Sequence, residues 1–301
     1  MPNQERYAAL EKQPLVTVGG VSASRSGASL IASLRDIFAH RDLLDRLIKR
    51  DLKARYKDSA LGFIWTLIKP LTQLVIYYYV LGTFLGAARN IPEFAIFIFA
   101  GLTIYGLFSE IVSGGTSSIV ENTGLIKKIY LPREIFPLAS LGSALFNSAI
   151  QFGILILATI ILGSFPWSAN LIYLVPSVLL IVVFALALSL LLSAVNVYLR
   201  DVQYLVEVAM MVLMWASPIV YSWELVHQQL GNGILMSIYT NNPITLAVLG
   251  FQKAMWTAGA DQPGPDNLFL SLWVALGLSL IALFGTHAVF RRLQGNFAQL
   301  L

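Results

Sequence analysis

Three ionisable side chains, Glu110, Glu207 and His287, stand inside or at the ends of long apolar runs, and they are the residues that first invite a chemical reading. An ionisable group costs ~2.5–3.5 kcal/mol at the centre of a bilayer on insertion scales, so one placed in an apolar run is a functional candidate by default. That cost falls toward the interface, and two readings stand side by side. Glu110 and Glu207 form a polar lateral gate, or groups of this kind make polar contacts that tie helix to helix. A reacting constellation is not written in the sequence. It contains no G-x-x-x-x-G-K-[ST] phosphate loop, no G-x-S-x-G elbow and no H-E-x-x-H pair. It has no cysteine, which excludes disulfides, thiolate metal sites and cysteine nucleophiles, and its three histidines are scattered. No catalytic residue, no metal and no cofactor are therefore expected in this chain. Binding and conduction fit it better than covalent chemistry.

The elements that would position these groups follow from composition. The chain has 301 residues, 57% of them hydrophobic and 12% charged, with a mean hydropathy of +0.72. A soluble domain carries roughly 25% charged residues, so a soluble, disordered, coiled-coil or nucleic-acid-binding protein is excluded. Charge-free runs predict an all-α polytopic membrane protein with six spans, at about residues 62–88, 94–112, 135–162, 171–197, 204–223 and 267–290. Residues 135–199 carry no charge, and the Gly163–Asn170 segment, with its Pro, Gly and Asn, divides them into two spans. Of the 20 Lys and Arg residues, only Arg89 and Lys253 fall on one side of this arrangement. The other 18 lie in residues 1–69, in the loop after span two, in the turn after span four and in the tail. The positive-inside rule then puts both termini in the cytoplasm of a multi-pass protein of the cytoplasmic membrane. It also accounts for the net charge of +4 without any nucleic acid partner. Residues 1–30 lack the apolar core of a secretory leader, so no signal peptide is expected.

Four segments result. Residues 1–35, rich in Ser, Gly, Ala and Gln, are expected to be a flexible cytoplasmic N-terminus. Residues 36–60 hold an amphipathic helix with Ile37, Leu44, Leu47, Ile48, Leu52 and Tyr56 on one face. Its pairs Asp42–Arg46, Asp45–Lys49 and Asp51–Arg55 place the acid first, the better order. It is expected to lie on membrane lipids in the cytoplasmic interface; the alternative is a helix packed on a soluble partner. Residues 61–290 form the six-span domain and 291–301 a cytoplasmic tail. Between spans two and three, residues 121–134 set Leu125, Ile126, Ile129 and Tyr130 among charges, which reads as a docking surface for another protein or as a helix on headgroups. Between spans five and six, Asn242-Pro243 starts a helix whose apolar face is Ile244, Ala247, Val248, Phe251 and Met255. Short re-entrant or gate helices are expected there, dipping into the outer interface or capping a cavity. The aromatics Tyr77, Tyr105, Phe108, Trp215 and Tyr221 are candidates to line a passage, where ring faces pack on sugar C–H faces. The alternative for each is a lipid-facing belt.

The segment Arg50–Leu71 resembles the signature of the permeases that export polysaccharides and polyol phosphates, a branch of the type-2 ABC exporters. The pattern R-x-x-x-x-R-Y-x-x-S-x-L-G-x-x-W-x-x-x-x-P falls on Arg50, Arg55, Tyr56, Ser59, Leu61, Gly62, Trp65 and Pro70. Residues 121–134 are similar to that family's coupling loop, and Asn196–Val202 with Trp215–Pro218 to its entry into span five. The resemblance implies a homodimer and two copies of a separate cytoplasmic ABC ATPase that holds ATP and Mg. It implies a cargo such as O-antigen, capsule, teichoic acid or galactan on undecaprenyl diphosphate or a related lipid. It implies a coupling helix made by Glu121, Asn122, Leu125, Ile126, Lys127 and Lys128. Arg55, Lys57 and Lys69 would attract the lipid diphosphate. Gly62, Trp65 and Pro70 would form a lateral gate, with a bend near residues 58–63 and a kink near Pro70. Two alternatives remain at this point: a type-2 ABC exporter of a drug or small lipid, and a membrane-embedded glycosyl- or acyltransferase. An ion-coupled secondary transporter would show internal repeats and mid-membrane charges, and neither is seen.

Overall fold

Nearly every long apolar run of the chain is a helix, because a backbone in hydrocarbon must satisfy its own hydrogen bonds. The computed structural model describes residues 41–56, 64–84, 86–89, 91–128 and 131–301. In order, the helices are α1 (Arg41–Tyr56), α2 (Ile64–Ile76), α3 (Phe94–Glu121), α4 (Thr123–Ile126), α5 (Ile135–Ile161) and α6 (Leu174–Tyr198). They continue as α7 (Val202–Trp215), α8 (Trp223–Leu230), α9 (Ile234–Thr240), α10 (Pro243–Met255), α11 (Leu268–Leu293) and α12 (Phe297–Leu300). Wider π-helical turns, Tyr77–Phe84, extend α2, and a tight turn of helix, Ala169–Tyr173, leads into α6. No β-strand occurs among the described residues.

Five helical segments are long and apolar enough to cross a membrane: Ile64–Phe84, Phe94–Glu121, Ile135–Ile161, Ala169–Tyr198 and Leu268–Asn296. The pair α9 and α10, bent by 62°, makes a sixth if it is counted as one span. The single fifth span expected at 204–223 is not found in that form. Its helix, α7, has 14 residues. At 1.5 Å per residue it covers about 21 Å, short of the ~30 Å hydrocarbon layer. The chain breaks after Trp215 because Pro218 disfavours helical geometry at Ser217, whose hydroxyl donates back to the carbonyl of Leu213 at 2.8 Å.

The centre of the bundle is α3. Of its apolar stretch 72% is buried, against none of that of Ile64–Phe84. Around α3 lie α5, α6, α7 and α10, and α11 packs on the far side of α6. Some buried hydroxyls on these helices bond within their own helix, as Thr103 does to Phe99 and Thr116 to Val112, both at 2.7 Å, whereas those of Ser143, Ser189 and Thr245 find no partner. A second apolar cluster closes one end. It joins Leu47 of α1, Ile119 at the end of α3, Ile135 and Phe136 at the start of α5, Val197 of α6, Phe290 of α11 and Phe297 of α12. Lys127, Lys128, Arg200 and Arg292 lie exposed around it, and it is called the basic end below.

The apolar face of α1 is covered by the bundle: Leu47 is buried, and Ile48 sits over Gly142 of α5 so closely that a Cβ there would overlap it. Arg41, Arg46, Lys49, Arg50 and Lys53 remain exposed on the other face. Asp45 takes Lys49 at 2.6 Å, as its spacing predicts, but Asp51 pairs with Arg50 at 2.7 Å.

Asn196, buried near the end of α6, holds two neighbours. Its Nδ2 donates to the carbonyl of Thr116 on α3 at 3.1 Å, and its Oδ1 accepts from the amide of Gln203 in the first turn of α7 at 3.3 Å. It thereby caps α7 from a distance. Asn196→Leu is expected to cost ~1–3 kcal/mol, since it leaves a buried donor and acceptor unmet. A lowered Tm of the purified protein in detergent checks this, and an unchanged Tm refutes it.

Candidate functional site

The least buried of the spans is the one beside which the cavities lie. Helix α2 has no buried residue, and it stays helical through Pro70 although a ring there lacks an N–H and crowds the carbonyl of Thr66. A change of helix type comes later, at the π-helical turns Tyr77–Phe84. Trp65, at 43% exposure, and the exposed Lys69 stand one turn apart and form a lip between two cavities.

On one side, between α2, α3 and α5, is a cavity of about 540 Å³ lined by Trp65, Thr66, Lys69, Pro70, Glu110, Asn147 and Gln151. On the other is a more apolar one of about 480 Å³, where Ile68, Thr72, Gln73, Ile76 and Tyr77 join Trp65 and Lys69. Both sizes suit a small ligand or one unit of a long one. In the first, Asn147 Nδ2 donates to Glu110 Oε1 at 2.6 Å, across from α5 to α3. At the edge of the second, Tyr77 accepts from Gln73 at 3.4 Å and its hydroxyl reaches Met214 Sδ on α7 at 3.9 Å.

The structure brings some of the expected residues together and separates others. Trp65, Lys69, Pro70 and Glu110 share the first cavity, and Tyr77 borders the second. Glu207 is exposed on α7 and lines neither cavity. Lys57, Gly62 and the expected bend at 58–63 lie outside the described residues, as does the side chain of Arg55. Tyr105 and Phe108 are corrections. Both are buried in the protomer's own core, with the Tyr105 hydroxyl bonded to the carbonyl of Met210 and Phe108 stacked on Phe184 at 5.9 Å. Trp215 is half exposed, and Tyr221 donates to its carbonyl at 2.6 Å. His287 is buried with Nε2 3.8 Å from Glu134 Oε1, an interhelical contact between α11 and the start of α5.

The expected coupling residues occupy the basic end. Helix α4 directly follows α3, and Asn122 donates to the carbonyl of Ser118 at 2.8 Å to hold the corner. Leu125 and Ile126 are half-buried against the basic-end cluster, not displayed as a docking surface. What faces outward is Glu121, Gly124, Lys127 and Lys128.

At the opposite end, α10 begins as expected, with Asn242 as its cap: the side-chain Oδ1 accepts from the amide of Ile244 at 3.0 Å. It is not a loose cap on a cavity. Its expected face and Gln252 are buried, and Gln252 Nε2 donates to the carbonyls of Pro218 at 3.0 Å and Phe97 at 3.4 Å. Asn147, Gln151 and Gln252 were not singled out by the sequence, because uncharged polar residues leave an apolar run unbroken.

Long apolar helices around one buried helix, a first span held by few contacts and a basic end that gathers four helix termini define a helical polytopic membrane protein with polar and apolar cavities at its side. Residues 43–256 match the model of the ABC-2 type transporter family, and the chain belongs to that family as a type-2 ABC permease. It is 27% identical over 272 residues to the O-antigen export system permease protein RfbA of Myxococcus xanthus, covering 90% of this chain and 99% of that protein. It is 24% identical over 261 residues to the protein of that name from Klebsiella pneumoniae, covering 86% and 95%. It is 22% identical over 252 residues to the polysialic acid transport protein KpsM of Escherichia coli, covering 82% and 92%.

Proposed function

We propose that two copies of this chain form the passage of an exporter that carries a lipid-linked polysaccharide across the cytoplasmic membrane. Two copies of a separate ATPase drive it and hold the ATP and Mg; this chain holds no cofactor. The observation that carries the reading is α2 with its π-helical extension. The segment Ile64–Phe84, of membrane length and with none of its apolar stretch buried, is flanked by a polar and an apolar cavity and forms a wall that its own protomer leaves open. The exposed residues Tyr204, Leu205, Val208, Met211 and Trp215 of α7 extend that wall. Two such walls facing each other enclose a passage, and aromatic and polar faces suit a chain with apolar C–H faces and wet hydroxyls. The names of the relatives support a polysaccharide over a drug.

Six crossings fit the contacts. Helices α3, α6 and α11 all end at the basic end, so the chain between α6 and α11 must return once. It does so along α3, from Gln203 beside Asn196, through Met210 at Tyr105, to Pro218 beside Phe97. On this reading α7 with its terminal turn is the fifth crossing and the bent α9–α10 pair is re-entrant. The positive-inside rule puts the basic end and both termini in the cytoplasm. The lipid diphosphate arrives there, drawn by Arg55, Lys57 and Lys69. Closure of the ATPases presses on α4, and the basic-end cluster passes the push to α3, α5, α6 and α11 as one body.

Reconstituted permease and its ATPase test this. A lipid-linked glycan is expected to stimulate ATP hydrolysis and to accumulate across the membrane. Stimulation by small amphiphiles with none by the glycan would overturn the cargo.

A further inference from the structure

Of the two cavities beside α2, the polar one carries an unmet demand. Asn147 is 4% exposed, and its Nδ2 is taken by Glu110, yet its Oδ1 has no hydrogen-bond partner. A buried acceptor left unmet is unfavourable, and a bound donor relieves it. The same wall holds the Glu110 carboxylate, a hydrogen-bond acceptor, and the amide of Gln151, one turn on from Asn147. At the lip stand the half-exposed indole of Trp65 and the ammonium of Lys69.

We propose that this cavity is a sugar-ring subsite, which takes one uncharged pyranose unit of the cargo and not its diphosphate; the proposal rests on the polysaccharide reading above and deepens it. The chemistry decides between the two parts of such a cargo. A diphosphate at neutral pH offers acceptors and negative charge. Set into this cavity it would face the Glu110 carboxylate and leave Asn147 Oδ1 unmet. A ring hydroxyl donates and accepts at once. It can give its proton to Asn147 Oδ1 or Glu110 and receive one from the Gln151 amide. Trp65 offers its face to ring C–H groups, and Lys69 closes the rim. One carboxylate and one ammonium leave the lining without net charge, which suits a neutral ring. Water would also satisfy Asn147, and the experiment separates the two.

The full-length permease in lipid nanodiscs is exposed to diazirine-tailed monoglycosides of glucose, galactose, mannose, rhamnose and N-acetylglucosamine, and separately to diazirine-tailed farnesyl diphosphate. At least one glycoside is expected to label the stretch of α5 around Asn147. Asn147→Leu and Gln151→Leu are each expected to raise its half-saturating concentration ~10-fold, the size of one lost hydrogen bond to a site built for it. Farnesyl diphosphate labelling is expected to stay within about twofold. Gln151, half-buried at the cavity wall, keeps the test sound if Asn147→Leu fails to fold. Equal glycoside affinity in wild type and both variants would overturn the subsite and leave the export reading standing. So would loss of farnesyl diphosphate labelling in the variants, or a cavity that holds water and no glycoside. Absence of glycoside labelling anywhere in the wild-type chain would instead bring down the polysaccharide reading itself.

Discussion

Gly115→Ala is expected to remove most folded protein from the membrane fraction. A Cβ on Gly115 would overlap the Ser189 hydroxyl of α6 and stand 2.7 Å from Ser189 Cβ and 3.5 Å from its Cα. The 3.5 Å to its Cα is ordinary contact, but the 2.7 Å to Ser189 Cβ cannot be relieved by turning a side chain, so the helices themselves must part. They are the two that can least do so. Helix α3 is the buried centre, and α6 joins it to α11. Parting them also strains the bond from Asn196 to Thr116, one residue beyond Gly115. Overpacking of a tight core costs ~1–3 kcal/mol, and a membrane helix pair that relies on small residues has little else to hold it. Two other glycines calibrate the measurement. At Gly114 the new Cβ meets chiefly the Ser140 hydroxyl, which can rotate away, and Gly153 has open space around it. Fluorescence-detected gel filtration of a tagged protein should therefore rank Gly115→Ala far below Gly114→Ala, with Gly153→Ala as wild type. Equal yields from all three would mean that α3 and α6 do not cross at Gly115.

How much of this was legible beforehand depends on what each residue announces. Charges announce themselves, so the limits of α5, α6 and α11 and the start of α3 come within a few residues from charge-free runs, although α3 runs on to Glu121, past its expected end at 112, and the Asn242-Pro243 start of α10 comes from its capping chemistry. Hydropathy does not say what an apolar face will touch. Ile64–Phe84 and Phe94–Glu121 both pass as spans, yet one has none of its apolar stretch buried and the other 72%. For the same reason Tyr105 and Phe108 read as passage residues and prove to be core. The polar cavity was half legible. Lys69 and Glu110 stood out by charge, whereas Asn147 and Gln151 add nothing to a charge scan. Their one signal is spacing: two amides four residues apart share a helix face, and in an apolar helix that face must meet something polar.

Reversing charge at Lys127 and Lys128 is expected to uncouple the permease from its motor while leaving it folded. Both side chains are exposed at the end of α4, so Lys127→Glu with Lys128→Glu should change stability by only ~0.5 kcal/mol, as surface substitutions do. On the proposed assembly they face the ATPase, where a misplaced like charge costs several kcal/mol and recruitment should fall more than tenfold. Leu125→Asp with Ile126→Asp is a different experiment, although the sequence alone would treat it as the same one. Those side chains pack against the cluster of Leu47, Ile119, Ile135 and Phe136. Carboxylates there would face apolar neighbours, at ~1–3 kcal/mol for each polar group brought in, and would loosen the contact between α4, α1 and α5. Tm and co-purification with the ATPase, measured on both double variants, separate the two effects. The charge reversal should keep its Tm and lose the partner; the Asp pair should lose Tm first. If the charge reversal still recruits the ATPase at wild-type level, the force enters this chain elsewhere than at α4. An Asp pair with an unchanged Tm would mean that α4 is a free handle and not part of the basic-end cluster.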